Sequence, residues 1–143
     1  MYTEVFLSRI VFSDIDETNL IFLREKSGNR EFPIVIGGVE ALIMEREIYE
    51  EHGSRPLTHI LLGKVIQALG GEVKDVIIYD IKEDTFYAAI RISTKENGND
   101  KKWTEIDCRP SDAVAMAISQ RPPLKILVND CVWERLKALK QKE

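Results

Sequence analysis

The chain is poor in the features that would assign a class at once. Its two cysteines, Cys108 and Cys131, have no zinc-ligand spacing, and reduced thiols are expected. No apolar run is long enough to cross a bilayer, so no membrane partner is expected. Met1-Tyr2-Thr3-Glu4-Val5 has no basic stretch leading into an apolar one, so no signal peptide is expected and the location read from the sequence is cytoplasmic. HExxH, CxxC and the phosphate-loop pattern are all missing, and no known catalytic triad stands out. The chain also lacks positive charge. Its net charge is −4, with 5 Lys/Arg against 11 Asp/Glu in residues 1–52 and 6 against 3 in residues 121–143. Tight non-specific nucleic-acid binding is driven by Lys and Arg neutralising phosphates, and this composition does not advertise it. The basic end (Arg135, Lys137, Lys140, Lys142) reads as a solvated helix face, with a phosphate contact as its other use.

What is present suits one globular domain of 143 residues with 44% hydrophobic content. Strands are expected over 2–13, 20–24 and 31–36, with turns at Asp14–Asn19 and Ser27-Gly28-Asn29. Pro33 implies a free edge or an irregular start for the third strand. Gly37-Gly38 then turns the chain into a helix from Val39 to Glu51. Its apolar stripe is Val39, Leu42, Ile43, Ile48 and Tyr49, and Glu45, Arg46, Glu47, Glu50 and Glu51 cover the other side. A second helix begins at an expected Thr58 N-cap and buries Ile60, Leu61, Leu62, Val65, Ile66 and Leu69 before Gly70-Gly71 ends it. Strands follow over 72–81, 85–93 and 103–106, with a polar loop at 95–102. A helix over 113–118 stops at Gln120-Arg121-Pro122-Pro123. A short strand, 125–128, precedes a final helix from Cys131 to Lys140, capped by Asn129 or Asp130.

Chemistry concentrates at Asp107-Cys108-Arg109-Pro110-Ser111-Asp112-Ala113, a strand-to-helix junction. Pro110 suits a first helical turn, where its missing N–H costs nothing. Ser111 and Asp112 then lie where free N–H groups need acceptors and where the helix dipole favours negative charge. One reading is helix capping with a local Asp–Arg pair. The other is a polar site for a metal or a phosphate, because carboxylates bind hard cations and helix N-termini bind anions. Glu40 carries the same ambiguity: it complements a dipole, or it is a carboxylate facing the same cleft as Asp107. His59 is a general acid or base, or a hydrogen-bonded structural histidine.

The element order repeats. Residues 4–50 and 72–120 each run strand, strand, strand, helix, which predicts two related βββα units joined by the 58–70 helix. Glu31–Gly38 takes the place of Trp103–Pro110, so the junctions at 37–40 and 107–112 are equivalent.

Four stretches occur in register with a known family: Pro33-Ile34-Val35-Ile36-Gly37 with Glu40, then Arg55-Pro56-Leu57-Thr58-His59, then Phe86-Tyr87-Ala88, then Asp107 to Ala113. Over roughly residues 4–131 the chain resembles the bifunctional nuclease family. It departs at Cys108, where the family usually has Ser or another small residue, and at Ile60, where an acidic residue is common. The resemblance implies an α+β fold with a mixed sheet, a homo-oligomer (most simply a homodimer), and nuclease activity on DNA and RNA.

Phosphodiester hydrolysis needs an activated water and stabilisation of charge on phosphate oxygens, which a divalent metal such as Mg²⁺ or Mn²⁺ supplies. The candidates are Glu40, Asp107 and Asp112 as metal ligands, with His59 handling the proton. Arg55, Arg109 and Ser111 are the candidates to hold the phosphate. No organic cofactor is expected. The alternative is a non-catalytic binding or assembly domain, in which the same residues form a polar network between the two halves or at a subunit interface.

Overall fold

Alternation of apolar and polar residues builds two antiparallel meanders, and each feeds a helix. The computed structural model describes residues 1–13, 15–16, 18–51, 53, 57–96 and 100–141. The first unit is β1 (Tyr2–Phe12), β2 (Asn19–Glu25), β3 (Glu31–Ile36) and α1 (Gly38–Ile48). A helix, α2 (Thr58–Ala68), leads to the second unit: β4 (Gly71–Lys82), β5 (Thr85–Glu96), β6 (Asp100–Cys108) and α3 (Pro110–Ser119). The chain continues through β7 (Lys125–Asn129) and α4 (Asp130–Gln141).

All seven strands lie in one sheet of order β3-β2-β1-β7-β4-β5-β6. β7 joins the two meanders, antiparallel to β1 and parallel to β4, so the sheet is mixed. The fold is α+β, with two related βββα units as the element order predicts. β3 is an edge strand, as Pro33 implies, since a residue without an N–H is tolerated where no ladder bond is lost. The expected loop at 95–102 is shorter, because the β5–β6 pairing runs out to Glu96 and Asp100. Asn129 caps α4 through its side-chain oxygen, which accepts from the Cys131 N–H at 3.1 Å.

One face of the sheet carries the core. Val76 and Ile78 of β4, Ala88 and Ile90 of β5, Ile126 and Val128 of β7, and Ile21 and Leu23 of β2 are all buried there. The sheet curls around this core, since Phe32 of β3 stacks on Phe86 of β5 at 5.1 Å although four strands separate β3 from β5. Trp133 of α4 meets Phe32 edge-on at 5.1 Å.

The central helix over this face is α3, with Ala113, Val114, Ala115, Met116 and Ala117 each 3% exposed or less. Both α1 and α2 touch it. At one end Glu40 of α1 and His59 of α2 meet the first turn of α3. At the other, Glu47 of α1 meets Arg121 at 3.5 Å, and Gly63 of α2 lies against the Gln120 side chain. The three helices therefore run in the same direction with their N-termini together.

Two expectations about these helices fail. α2 has no buried residue: Leu61, Leu62 and Val65 are roughly half exposed and Leu69 is 82% exposed. Its contact with the rest of the chain runs through Gly63 and Ile66, a narrow stripe. Its N-cap is Leu57, with Thr58 already inside the helix and no side-chain cap bond. α1 is rotated relative to the expected stripe. Ala41, Met44 and Glu47 are buried, while Val39, Leu42, Ile48 and Tyr49 are exposed. A spacing of three residues serves either set, and the Glu47–Arg121 pair makes the Glu47 side tolerable inside.

Met116 is 1% exposed at the centre of this packing. Met116→Ala is expected to destabilise the fold by about 2–5 kcal/mol. Leu69→Ala, on the exposed helix, is expected to change it by about 0.5 kcal/mol or less. Chemical denaturation of both variants measures this, and equal losses would contradict the described helical layer.

Candidate functional site

The site forms where the first turns of α1, α2 and α3 meet. Their N-cap residues, Gly37, Leu57 and Arg109, are all extended, with φ near −70°, and none offers a side-chain cap bond. The first N–H groups of a helix have no partner within it, and a macrodipole adds partial positive charge at that end. Pro110 at the first position of α3 removes one such N–H, so the exposed donors belong mainly to α1 and α2.

Arg109 is the centre of the cluster, with its side chain 66% exposed. Its Nε and Nη2 each donate to the Asp112 carboxylate at 3.0 Å, a two-point fork. The backbone N–H of Arg109 also donates to Asp112, at 3.3 Å, so this carboxylate closes the helix start as well. The remaining Nη1 donates to Glu40 at 3.3 Å, tying α1 to α3. Gly37 leaves room for this: a Cβ there would collide with the Glu40 carboxylate. His59 Nε2 lies 3.7 Å from Asp112, its side chain is 15% exposed, and its Nδ1 is buried with no hydrogen-bond partner among the described residues.

Partial burial pushes the Asp112 carboxyl up, but the hydrogen bonds and charge of Arg109, with a smaller pull from His59, outweigh it and hold it below its ordinary value. The same pairing with Asp112, aided by Glu40, raises Arg109, which stays a cation. Burial pushes the Cys108 thiol up to about 11, with Asp112 and Asp107 adding to the shift, so it is a poor nucleophile.

Asp107 is not in this cluster. It pairs with Ala89 across β5–β6, so it points to the sheet face away from the helices, while the next residue, Cys108, points toward the core. There its carboxylate accepts from the Tyr79 hydroxyl at 2.6 Å. That bond is the main cause of a Tyr79 pKa pushed up to about 12. The expected sharing of one cleft by Glu40 and Asp107 is thus replaced by Glu40 with Arg109 and Asp107 with Tyr79. Tyr79 was missed at the level of sequence, although its place beside Ile77 on alternating β4 was a usable signal. Ser111 is 8% exposed in the first turn of α3, so little of it reaches the surface. Arg55, the other candidate phosphate ligand, lies outside the described residues.

The arrangement does not fit the proposed metal triad. Among the described residues no three His, Cys, Asp or Glu side chains are grouped as metal ligands. Glu40 and Asp112 would admit a divalent ion only by displacing the guanidinium that already bridges them.

The fold and this site define a mixed-sheet α+β protein with an arginine held between carboxylates where three helix N-termini meet. A family model for the bifunctional nuclease domain matches residues 21–140, and the chain belongs to that family. Uncharacterized proteins from two strains of Mycobacterium tuberculosis are each 36% identical to it over 107 residues, which is 75% of this chain and 60% of theirs. The match thus spans under two thirds of those relatives. No helix among the described residues is long and apolar enough to cross a membrane.

Because the Asp112 pKa is depressed in the fold, its ion pair adds stability above the ordinary value of 3.8 and loses it as pH falls through the lower, folded value. Asp112→Asn removes that titration. Thermal melts from pH 7 down to pH 2 are expected to show the parent's advantage over the variant shrinking below about pH 4. A constant difference across that range would mean Asp112 is unpaired in solution.

Proposed function

We propose that this chain binds DNA or RNA by its phosphodiester backbone at the Arg109 cluster and hydrolyses it there. The observation that carries the reading is the convergence of three helix N-termini on an exposed arginine, with α1 and α2 lacking side-chain caps and α3 closed by Asp112. Helix N-termini and a guanidinium are both anion ligands, and here they face one point. Family membership supports nucleic acid as the anion's source.

In this reading a phosphate oxygen takes the Arg109 Nη1 donor from Glu40, which is held by one 3.3 Å bond where Asp112 is held by two of 3.0 Å. The first-turn N–H groups of α1 and α2 stabilise the charge that grows on the non-bridging oxygens. His59 accepts the proton of the attacking water at Nε2, the ring nitrogen that faces Asp112 at 3.7 Å, and Asp112 stabilises the imidazolium so formed. Water oxygen bonds to phosphorus, the P–O bond to the leaving sugar breaks on the opposite side, that oxygen takes its proton from solvent water, and the protonated His59 returns its own to solvent. No step runs through Asp107 or through a resident metal, since the carboxylates do not converge. A cytoplasmic location belongs to the same reading, in keeping with free thiols at Cys108 and Cys131. A second reading is favoured by Glu40 and Asp112 both being satisfied by Arg109. In it the cluster is a strut between α1 and α3, with no ligand.

Cleavage of single- and double-stranded DNA and RNA, with Mg²⁺, with Mn²⁺ and with chelator, separates the readings. His59→Ala and Asp112→Asn are expected to slow cleavage by roughly two orders of magnitude, the usual cost of one key electrostatic group. Arg109→Ala is expected to weaken oligonucleotide binding about tenfold or more. Asp107→Asn should leave both within about threefold, a difference of about 0.7 kcal/mol. Unchanged binding and cutting in folded Arg109→Ala would make the cluster a strut. A parent that binds without cutting would leave only the binding half.

A further inference from the structure

The free edge of β3 and the helix α4 enclose a groove. It consists of two cavities, of about 870 Å³ and about 440 Å³, which share Pro33, Leu136 and Lys140 and so run into one another. Both volumes are typical of ligand sites. The larger cavity lies beside Arg30 and Trp133, and the smaller one reaches Val35 and Pro110. Val35 stands two residues before Gly37, and Pro110 directly follows Arg109. The groove therefore opens where α1 and α3 begin. Along one wall α4 lines it from Asp130 to Lys140, about 15 Å at 1.5 Å per residue. That length accommodates about four nucleotides of a single strand at about 3.4 Å each.

We infer that a single strand of DNA or RNA bound at the Arg109 cluster continues along this groove. The inference rests on the reading of that cluster as a phosphodiester site. Pro33, Val35 (70% exposed) and Leu139 (37% exposed) give the groove apolar surface for the faces of unpaired bases, which a duplex keeps stacked inside. In the larger cavity the Arg30 guanidinium lies over Trp133, 4.4 Å from the ring centroid, and is held there by Glu25. Its side chain is 55% exposed, and a fixed guanidinium plane is a surface on which a base stacks. Charge is graded along the groove. The end away from Pro110 holds Asp130 and Glu134, while Glu31 is engaged by Arg9. Toward Pro110, α4 presents Lys137 and Lys140, both exposed and without an ion-pair partner among the described residues, against one carboxylate, Asp84. The phosphates nearest the cluster thus meet the cations. A peptide added to the β3 edge fits less well, because Pro33 in the middle of that strand lacks the N–H that a new ladder needs.

Anisotropy titrations of labelled oligothymidylates of two and eight nucleotides, run in the cold where cutting is slow, test this. The parent is expected to bind the octamer at least tenfold more tightly than the dimer, which reaches only the cluster. Lys137→Ala/Lys140→Ala alters exposed helix positions where alanine is favourable, and should keep the parent's circular dichroism. It should weaken the octamer about tenfold and lower its slope of log affinity against log salt by about 1.4, at about 0.7 per phosphate contact on a single strand. The dimer should stay within about threefold. Lys101→Ala/Lys125→Ala removes the same charge outside the groove and should leave both oligonucleotides within about threefold. An octamer with unchanged affinity and salt slope in the α4 variant overturns the groove, and so does an equal loss in the control. Arg109→Ala tests the cluster separately. If it weakens both oligonucleotides, the cluster reading holds whatever the groove shows. If it weakens neither while the α4 variant weakens the octamer, the cluster reading fails and the groove stands as the binding track. A parent that binds neither oligonucleotide overturns both.

Discussion

The helical layer depends on the burial of α3. Its sequence alternates small and larger apolar residues, Ala113-Val114-Ala115-Met116-Ala117, and every one of them is inside. Val114 and Met116 supply bulk, while the alanines let other elements approach closely, which large side chains on every side would prevent. A helix closed in this way has no tolerance for rotation. Its first turn is consequently fixed in direction, and so are Arg109 and Asp112, which define the site. α1 and α2 have weaker apolar attachments and take their positions from α3.

The polar contacts at the two ends of that layer do a different job. Arg109 with Glu40 at the N-terminal end and Arg121 with Glu47 at the other are both ion pairs between α1 and residues that flank α3. Exposed pairs contribute about 0–1 kcal/mol each, so the first adds little to stability. What the two pairs supply is register, because they hold α1 at both ends and oppose sliding along α3. Glu47 is more demanding than Glu40, being 4% exposed, and a carboxylate that deep needs its cation. The structural and ligand-binding readings of Arg109 are therefore compatible. A guanidinium with one two-point partner, Asp112, can release its single bond to Glu40 and stay anchored.

The fold was legible in the sequence wherever local chemistry and tertiary demand agree. Pro33 announced a sheet edge, Pro110 a helix start, and the repeated strand order announced two related units. The site was half legible. Arg109, Asp112, His59 and Glu40 meet, but Asp107 is on the other face of the sheet. A junction read along the chain puts Asp107 and Asp112 side by side, while the pleat sends neighbouring residues to opposite faces. The helix stripes were misread for another reason. Leucines at helical spacing say that a face avoids water, not whose surface it meets. On α2 the apolar face is real but nothing among the described residues covers it. On α1 the sequence offered two stripes, and a buried glutamate with an arginine partner decided which one went inside.

The acidity of the chain bears on how such a site would bind a polyanion. Surface charge acts over about a Debye length, near 8 Å at physiological ionic strength, so the carboxylates at the far end of α1 are screened from the cluster. A helix of 11 residues is about 16 Å long, which puts Glu47 and its neighbours beyond that range. What a phosphate meets locally is one guanidinium and the N-terminal ends of three dipoles, offset by Glu40 and Asp112. That balance is near neutral until Glu40 is displaced. Binding then depends on directional hydrogen bonds more than on bulk charge, and few counterions are released. In the proposed reading such a site holds one phosphate group in place, as cleavage of a single bond requires, and does not need the long basic track of a protein that only coats nucleic acid.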